Sequence, residues 1–409
     1  PNRIAGQYNG EKGGFFMLTC LTTLLTIMTF GIYRFWAKSR IRRYVWSATA
    51  PNNDPMEYTG TGTEKFVGFL IAMVFLAVYL GLVQLGLSFL GFAIWDTIGL
   101  DPESPEVLIG QAISGYVTIL AILPLVLFAR YRGRRYMLSR TRWRGVRFGM
   151  AKGAVGYALR GIFYGFLALI TLGLLTPLMT FKLEKYMTDR TWYGDAQFEQ
   201  EGSWTELYRS AIHIIFAALA LIGVSVLAAM TGDDAYALLA IPAFIYFMIS
   251  FVFYRVDSFR RMARNKIVDD VMGFEAMPQT GFVIKTYIIG TLLTSLITTL
   301  AVIPIVLVVV GLGVSGFGGM NAADFDPVEM MQSPLFLVGG LLIVLVYFAM
   351  LALSSACANA FIIQPIYGHF VTTGALLNSK HLNEISQRQG DSMPDAEGFA
   401  DALDVGGAF

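Results

Sequence analysis

The residues best equipped for chemistry in this chain are cations interleaved with aromatics. Arg34, Lys38, Arg40, Arg42 and Arg43 alternate with Phe35, Trp36, Ile41, Tyr44 and Val45, and Arg130, Arg132, Arg134 and Arg135 repeat the pattern more densely. On a helix at a membrane surface, aromatic bodies enter the headgroup layer while long cationic side chains reach phosphates. Each such cation near an anionic leaflet contributes about 1 kcal/mol of attraction. Arg34, Trp36, Lys38, Arg42, Arg43, Arg130, Arg132, Arg134 and Arg135 are therefore candidate contacts for anionic lipid or another anion, with anchoring and topology alone as the plainer reading.

A second candidate is a polar stripe. Thr291, Thr294, Ser295 and Thr298 recur three or four apart on one helical face, and Ser354, Ser355 and Asn359 add polar groups to a later apolar run. Together they could line a hydrated path. Equally, hydroxyls in apolar helices bond backbone carbonyls or join neighbouring helices.

The chemistry that is missing narrows the classes further. No Asp, Glu, Lys or Arg stands firmly inside the six main apolar runs, with Lys285 at an inner edge, which disfavours a proton-coupled transporter. His213, His369 and His381 lack metal-ligand spacing. Cys20 and Cys357 lie in distant apolar stretches, so no disulfide framework is expected. Gly311, Gly313, Gly316, Gly318 and Gly319 lack the strand–loop–helix context of a phosphate loop. With no credible nucleophile–base pair, the expectation is a non-enzymatic protein without cofactor. Nucleic acid is not an expected partner, because bilayer-facing aromatics already account for the basic-aromatic composition.

The elements that must position these residues are long and apolar. Of 409 residues, 55% are hydrophobic and 14% charged, against roughly 25% charged in a soluble domain. Mean hydropathy is +0.59. Apolar runs recur at 66–95, 108–129, 210–230, 237–253, 282–311 and 335–360. Each approaches or exceeds the roughly 20 residues that cross a hydrocarbon core, where backbone hydrogen bonding makes helices the default. The start, Pro1-Asn2-Arg3, has no basic region followed by an apolar core, so no signal peptide is expected.

Charge supplies the sidedness. Connections 96–107, 231–236 and 312–334 carry Asp96, Asp101, Glu103, Glu106, Asp233, Asp234, Asp324, Asp326 and Glu329 but none of the 30 Lys and Arg residues. The positive-inside rule puts these loops outside and every basic segment in the cytoplasm, giving three outward hairpins. Two further apolar stretches, 15–33 and 157–180, then pose a parity problem. A single crossing by 157–180 would strand either Arg130–Lys152 or Lys182–Arg209 on the wrong side. A re-entrant or interfacial segment keeps all the cations inside. Gly161, Gly165, Gly173 and Pro177 permit such a broken helix, and also plain close packing.

Internal similarity groups the two stretches. Leu24-Leu25-Thr26-Ile27-Met28-Thr29-Phe30-Gly31 leads to Arg42-Arg43-Tyr44 and Thr49, and Leu167-Ala168-Leu169-Ile170-Thr171-Leu172-Gly173 leads to Lys185-Tyr186 and Thr191. Arg134-Arg135-Tyr136 with Thr141 is a third copy of the second half, again five residues from tyrosine to threonine. Arg260-Arg261-Met262 reads as a degraded copy with methionine replacing tyrosine, and a fifth near His369-Phe370 is too weak to count. Short aromatic–glycine segments follow, such as Trp143-Arg144-Gly145-Val146-Arg147-Phe148 and Trp192-Tyr193-Gly194, and suggest extended or turn pieces at the cytoplasmic surface.

Thr29-Phe30-Gly31-Ile32-Tyr33-Arg34-Phe35-Trp36-Ala37-Lys38, followed by Arg42-Arg43-Tyr44 and Glu57-Tyr58-Thr59-Gly60-Thr61-Gly62, resembles the YjgN-like family of bacterial inner-membrane proteins. The likeness is strongest over 11–70 and 125–210. It implies an inner-membrane location, and carries no catalytic or transport residue across. Leu174-Leu175-Thr176-Pro177 departs from Ile32-Tyr33-Arg34-Phe35 at the matching place.

The expected fold is an all-α polytopic membrane protein with six transmembrane helices in three hairpins and two re-entrant or interfacial segments. In order, these are an N-terminal interfacial segment and first cytoplasmic module (1–65), a hairpin (66–129), repeated cytoplasmic modules around 157–180 (130–209), a second hairpin (210–253), a degraded module (254–281), a third hairpin (282–360) and a cytoplasmic tail (361–409). From about 381 the tail reads as mobile. The expected function is passage or binding of a small solute or lipid. The alternative is a scaffold whose basic modules bind a membrane-associated protein.

Overall fold

The computed structural model describes residues 2–91, 104–232, 234–317 and 334–388. Of the acidic connections, 96–103, 233 and 318–333 lie outside these residues. Among the described residues, six helices are long and apolar enough to cross a membrane. They come as α3 (Gly62–Ser88) with α4 (Pro105–Ser139), α7 (Tyr208–Thr231) with α8 (Asp234–Arg264), and α9 (Thr280–Phe317) with α10 (Pro334–Ala358). Thr61 starts α3 by accepting the Glu64 N–H, and Ser104 caps α4 in the same way. The chain is thus a polytopic helical membrane protein, as its apolar runs require.

Two helical pairs are shorter. The first is α1 (Lys12–Met28) with α2 (Arg34–Ala48), and the second is α5 (Ala154–Ile170) with α6 (Thr176–Thr188). Helices α1 and α5 have 17 residues each, about 25 Å at 1.5 Å per residue, short of a core about 30 Å thick. Their tips share one turn. Phe30 and Leu172 both adopt φ 50°, followed by Gly31 at 89° and Gly173 at 88°. The amides of Gly31 and Gly173 reach back to Thr26 and Ala168 at 2.7 Å. Thr29 and Thr171 then accept the N–H of Tyr33 and Leu175. The departure at Leu174–Pro177 leaves this turn unaltered, because Pro177 falls in the first turn of α6, where no amide donor is required. Phe30 is 98% exposed, an apolar tip suited to hydrocarbon rather than water.

The basic-aromatic segments form strands of one antiparallel sheet. Its strands are β1 (Arg3–Ala5), β2 (Met56–Tyr58), β3 (Thr141–Trp143), β4 (Val146–Met150), β5 (Thr191–Tyr193), β6 (Ala196–Gln200), β7 (Lys266–Val268), β8 (Met272–Ala276) and β9 (Gly374–Leu377). They lie in the order β1-β9-β8-β7-β6-β5-β4-β3-β2. A bridge between Tyr8 and Thr49, with the Ala50 amide donating to the Gln7 carbonyl, ties the β1 end of the row to the β2 end. Arg144 and Gly145, both at positive φ, close the two-residue turn from β3 to β4. Phe148, Phe198 and Phe274 occupy the third position of β4, β6 and β8, and their rings follow one another at 6.5 and 5.8 Å. With Trp143, Tyr193, Val268 and Met272 they form the core of the sheet.

Register bears on the parity question. Met150 at the end of β4 pairs with Thr191 at the start of β5, so the chain that leaves into α5 returns through α6 to the adjacent strand. The same holds for β2 and β3 around α3–α4, for β6 and β7 around α7–α8, and for β8 and β9 around the third long hairpin. Each of these four excursions therefore starts and ends on adjacent strands. In α5, Gly161 serves close packing: a Cβ there would lie 2.7 Å from Leu127 of α4.

The chain divides into two compact units. Residues 1–8, 46–280 and 370–409 hold the whole sheet and α3 to α8; residues 9–45 and 281–369 hold α1, most of α2, α9 and α10, with α1 packed on α10. One expectation needs correction. Residues 381–388 are ordered against the sheet, with Leu382 buried in its core. The Ser386 hydroxyl donates to Asp195 at 2.7 Å, its amide does so at 2.9 Å, and Arg388 lies 4.7 Å from the Trp192 ring. The Ser386 hydrogen bonds hold the Asp195 carboxyl below its usual range. The remaining tail, 389–409, lies outside the described residues.

Candidate functional site

Each hairpin is clamped where it meets the sheet. The clamping residue stands five positions before the returning strand and touches the first turn of the outgoing helix. Tyr136 donates to Glu64 at 2.8 Å, and Tyr186 to the Gly153 carbonyl at 3.0 Å. Tyr44, five residues before the bridging Thr49, binds both the amide and the carbonyl of Glu11. In the fourth corner Arg261, not Met262, holds this place, because β7 begins at Lys266; it donates to Ser210 at 3.0 Å and Asp257 at 2.8 Å. In the fifth, His369 stacks on Phe282 at 4.2 Å.

At the bases of α3–α4 and α5–α6, beside β7, lies a half-buried ionic centre. Arg134 of α4 and Lys266 of β7 meet Glu184 of α6 at 3.1 and 2.7 Å. Burial opposes ionisation of Glu184, but the two cations prevail and hold its carboxyl well below the usual carboxylate range. Tyr131, Tyr157 and Tyr186 pack beside it with centroids 5.6 to 6.2 Å apart. These charges satisfy one another, so the centre joins three elements.

The candidate anion contacts separate accordingly. Arg42 is fully buried, and Arg134 belongs to the ionic centre. Arg135 donates to the Met150 carbonyl at 2.9 Å and fixes the end of β4. Trp36 stacks on Tyr33, while Arg34 and Arg132 lie over Phe35 and Phe128. Lys38 is half-buried, and Arg43 and Arg130 are exposed. Helical periodicity explains the division: Phe35, Ser39, Arg42 and Val45 share the inner side of α2.

The polar stripe divides as well. Thr291, Ser295 and Ser355 are exposed, Ser354 is half-buried, and Asn359 spends its amide on the Ser355 carbonyl at 2.8 Å. Thr294 and Thr298 are buried, and among the described residues their hydroxyls meet no protein partner. Four residues before Thr294, Gly290 admits a tight approach of Phe361 and Ile362; a Cβ there would meet Ile362 at 2.5 Å. Beyond this contact the packing opens. A cleft of about 400 Å³ is lined by Thr298, Thr299, Val302, Ile303, Leu307 and Met350. It begins about 27 Å along α9 from its start at Thr280. The stripe alone pointed to Thr298; Thr299 and Met350 carry no signal of their own in the sequence. The Glu184 centre had a weak one, an acid set among apolar and basic residues. Among the described residues, no group of three His, Cys, Asp or Glu side chains could hold a metal ion.

Inner membrane protein YjgN of Salmonella typhimurium is 30% identical to this chain over 142 residues, covering 35% of the chain and 30% of that protein. The proteins of the same name from Escherichia coli O157:H7 and strain K12 are each 28% identical over 141 residues, covering 34% of the chain and 29% of theirs. The match thus spans less than a third of the length of these curated relatives. No solved structure matches. The family described as "Bacterial protein of unknown function (DUF898)" matches residues 3–298, and the chain belongs to it.

Proposed function

We propose that this is a non-enzymatic protein of the bacterial inner membrane that holds a small amphipathic molecule in the α9–α10 cleft, with the sheet on the cytoplasmic side. The cleft carries this reading. Its walls, Val302, Ile303, Leu307 and Met350, suit an acyl chain or similar apolar body, and Thr298 and Thr299 offer hydroxyls at one end. The relatives' name and the cations around the sheet support location and orientation. The five corners read as copies of one unit, in which a helical excursion starts and finishes on adjacent strands.

The direct test is native mass spectrometry of the full chain extracted from its membrane, followed by flux measurements in proteoliposomes with whatever co-purifies. Val302→Trp fills the cleft and is expected to abolish co-purification without altering the sheet. Equal retention by this variant would sink the proposal. The alternative, a scaffold for a membrane-associated protein, rests on the exposed cations Arg43 and Arg130. It predicts a co-purifying protein that is lost when both are neutralised.

A further inference from the structure

The hairpin bases differ in one respect that bears on ligand binding. In α3–α4 the outgoing helix has Glu64 three residues after its cap Thr61, and this carboxylate receives Tyr136 at 2.8 Å and Arg140 at 3.1 Å. Arg140 stands four residues after the clamping tyrosine. In α7–α8 the same two places hold Glu206, three residues after Ser203, and Asn265, which donates to it at 3.0 Å. In α1–α2 both members are absent: the places hold Gly14 and Ala48.

The α5–α6 base keeps the cation and lacks the acid. Arg190 stands four residues after Tyr186, but the carboxylate's place, three residues after the cap Gly153, is Gly156. A second guanidinium, Arg160, has joined it; the two lie 3.7 and 4.6 Å from the Tyr186 ring. Each spends one N–H on a backbone carbonyl, Arg190 on Tyr186 and Arg160 on Gly156. Among the described residues neither meets a carboxylate. The first-turn amides of α5 have no side-chain cap and carry the positive end of the helix dipole. Beside them Val155, Leu159 and Phe163 form an exposed apolar column. A corner that binds its own carboxylate elsewhere in the molecule here presents two arginines and a helix start without a side-chain cap next to an exposed apolar surface.

We infer that the α5–α6 base binds the phosphate of an anionic phospholipid, with Arg160 and Arg190 as its ligands and the acyl chains along Leu159 and Phe163. This site is separate from the α9–α10 cleft and does not depend on it. The probe is phosphatidylglycerol against phosphatidylcholine, added to the delipidated full chain and read by native mass spectrometry and thermal unfolding. Wild type is expected to retain and be stabilised by phosphatidylglycerol selectively. Arg160→Gln and Arg190→Gln should each weaken retention about fivefold. Arg140→Gln, whose arginine has its own carboxylate, should leave retention unchanged. Arg160 is exposed, so its replacement leaves the fold intact. Undiminished retention in Arg160→Gln, or an equal loss in Arg140→Gln, would overturn the assignment. Inorganic phosphate is the second arm: stabilisation by it equal to that by phosphatidylglycerol would overturn lipid as the source.

Discussion

Hairpins α1–α2 and α5–α6 turn through tips of the same conformation, Thr29-Phe30-Gly31 and Thr171-Leu172-Gly173, yet their bases share little beyond a clamping tyrosine. Two residues before that tyrosine stands Arg42 in one and Glu184 in the other, and the outgoing helix is capped by Glu11 in one and Gly153 in the other. The difference shows where constraint lies. A tip is decided by a few dihedral angles and one threonine, so few local sequences satisfy it. A base is decided by whatever packs on it, so its charges can be rearranged while the excursion is preserved.

The largest expected effect tests whether these are re-entrant hairpins at all. On a Cys20→Ser/Cys357→Ala background, Lys152→Cys and Glu201→Cys flank α5–α6 and should react with an impermeant maleimide from the same side of the membrane. Labelling from opposite sides would break the comparison at its root. Next in size is Glu184→Gln, which leaves the half-buried Arg134 and Lys266 without their anion and should cost about 2–3 kcal/mol, read from denaturation in detergent. Because the folded carboxyl is held low, its contribution is present above the unfolded value of about 4.3 and fades as pH falls through the lower folded one. The acid limb of stability should therefore flatten in Glu184→Gln; an unchanged limb assigns the loss elsewhere.

Smaller effects test the shared tips. Gly31→Ala and Gly173→Ala place a Cβ at φ near +90° with open space around it or ordinary contact, so each should lose about 1–2 kcal/mol, and by similar amounts. A marked inequality in melting shifts would show that the tips are held by different forces. Smallest are Thr29→Val and Thr171→Val, each removing the hydroxyl that receives the amide at the far side of the turn, for about 1 kcal/mol.

Much of the membrane-embedded architecture was legible because it depends on local quantities. The six long apolar helices follow from apolar length, and the expectation that 157–180 re-enters follows from where Arg and Lys stand around it. The aromatic–glycine segments were harder to read. Strands of three to five residues are too short to show a period of two, and only their pairing identifies them as a sheet. The register also moved the fourth corner from Met262 to Arg261, a one-residue shift that a degraded motif could not resolve. The candidate cations divide for a related reason: composition marks a basic helix, while packing decides that Arg42 turns inward and Arg43 outward.

By itself the sequence determined that this chain lives in a bilayer and which of its runs are long and apolar enough to cross it, since burying charge in hydrocarbon is costly wherever the chain leads. Only the tertiary structure decided which corners hold an internal anion and which residues of α9 and α10 line a cleft. Glu184 takes its partners from 50 and 82 residues away, and no local pattern records a contact at that separation.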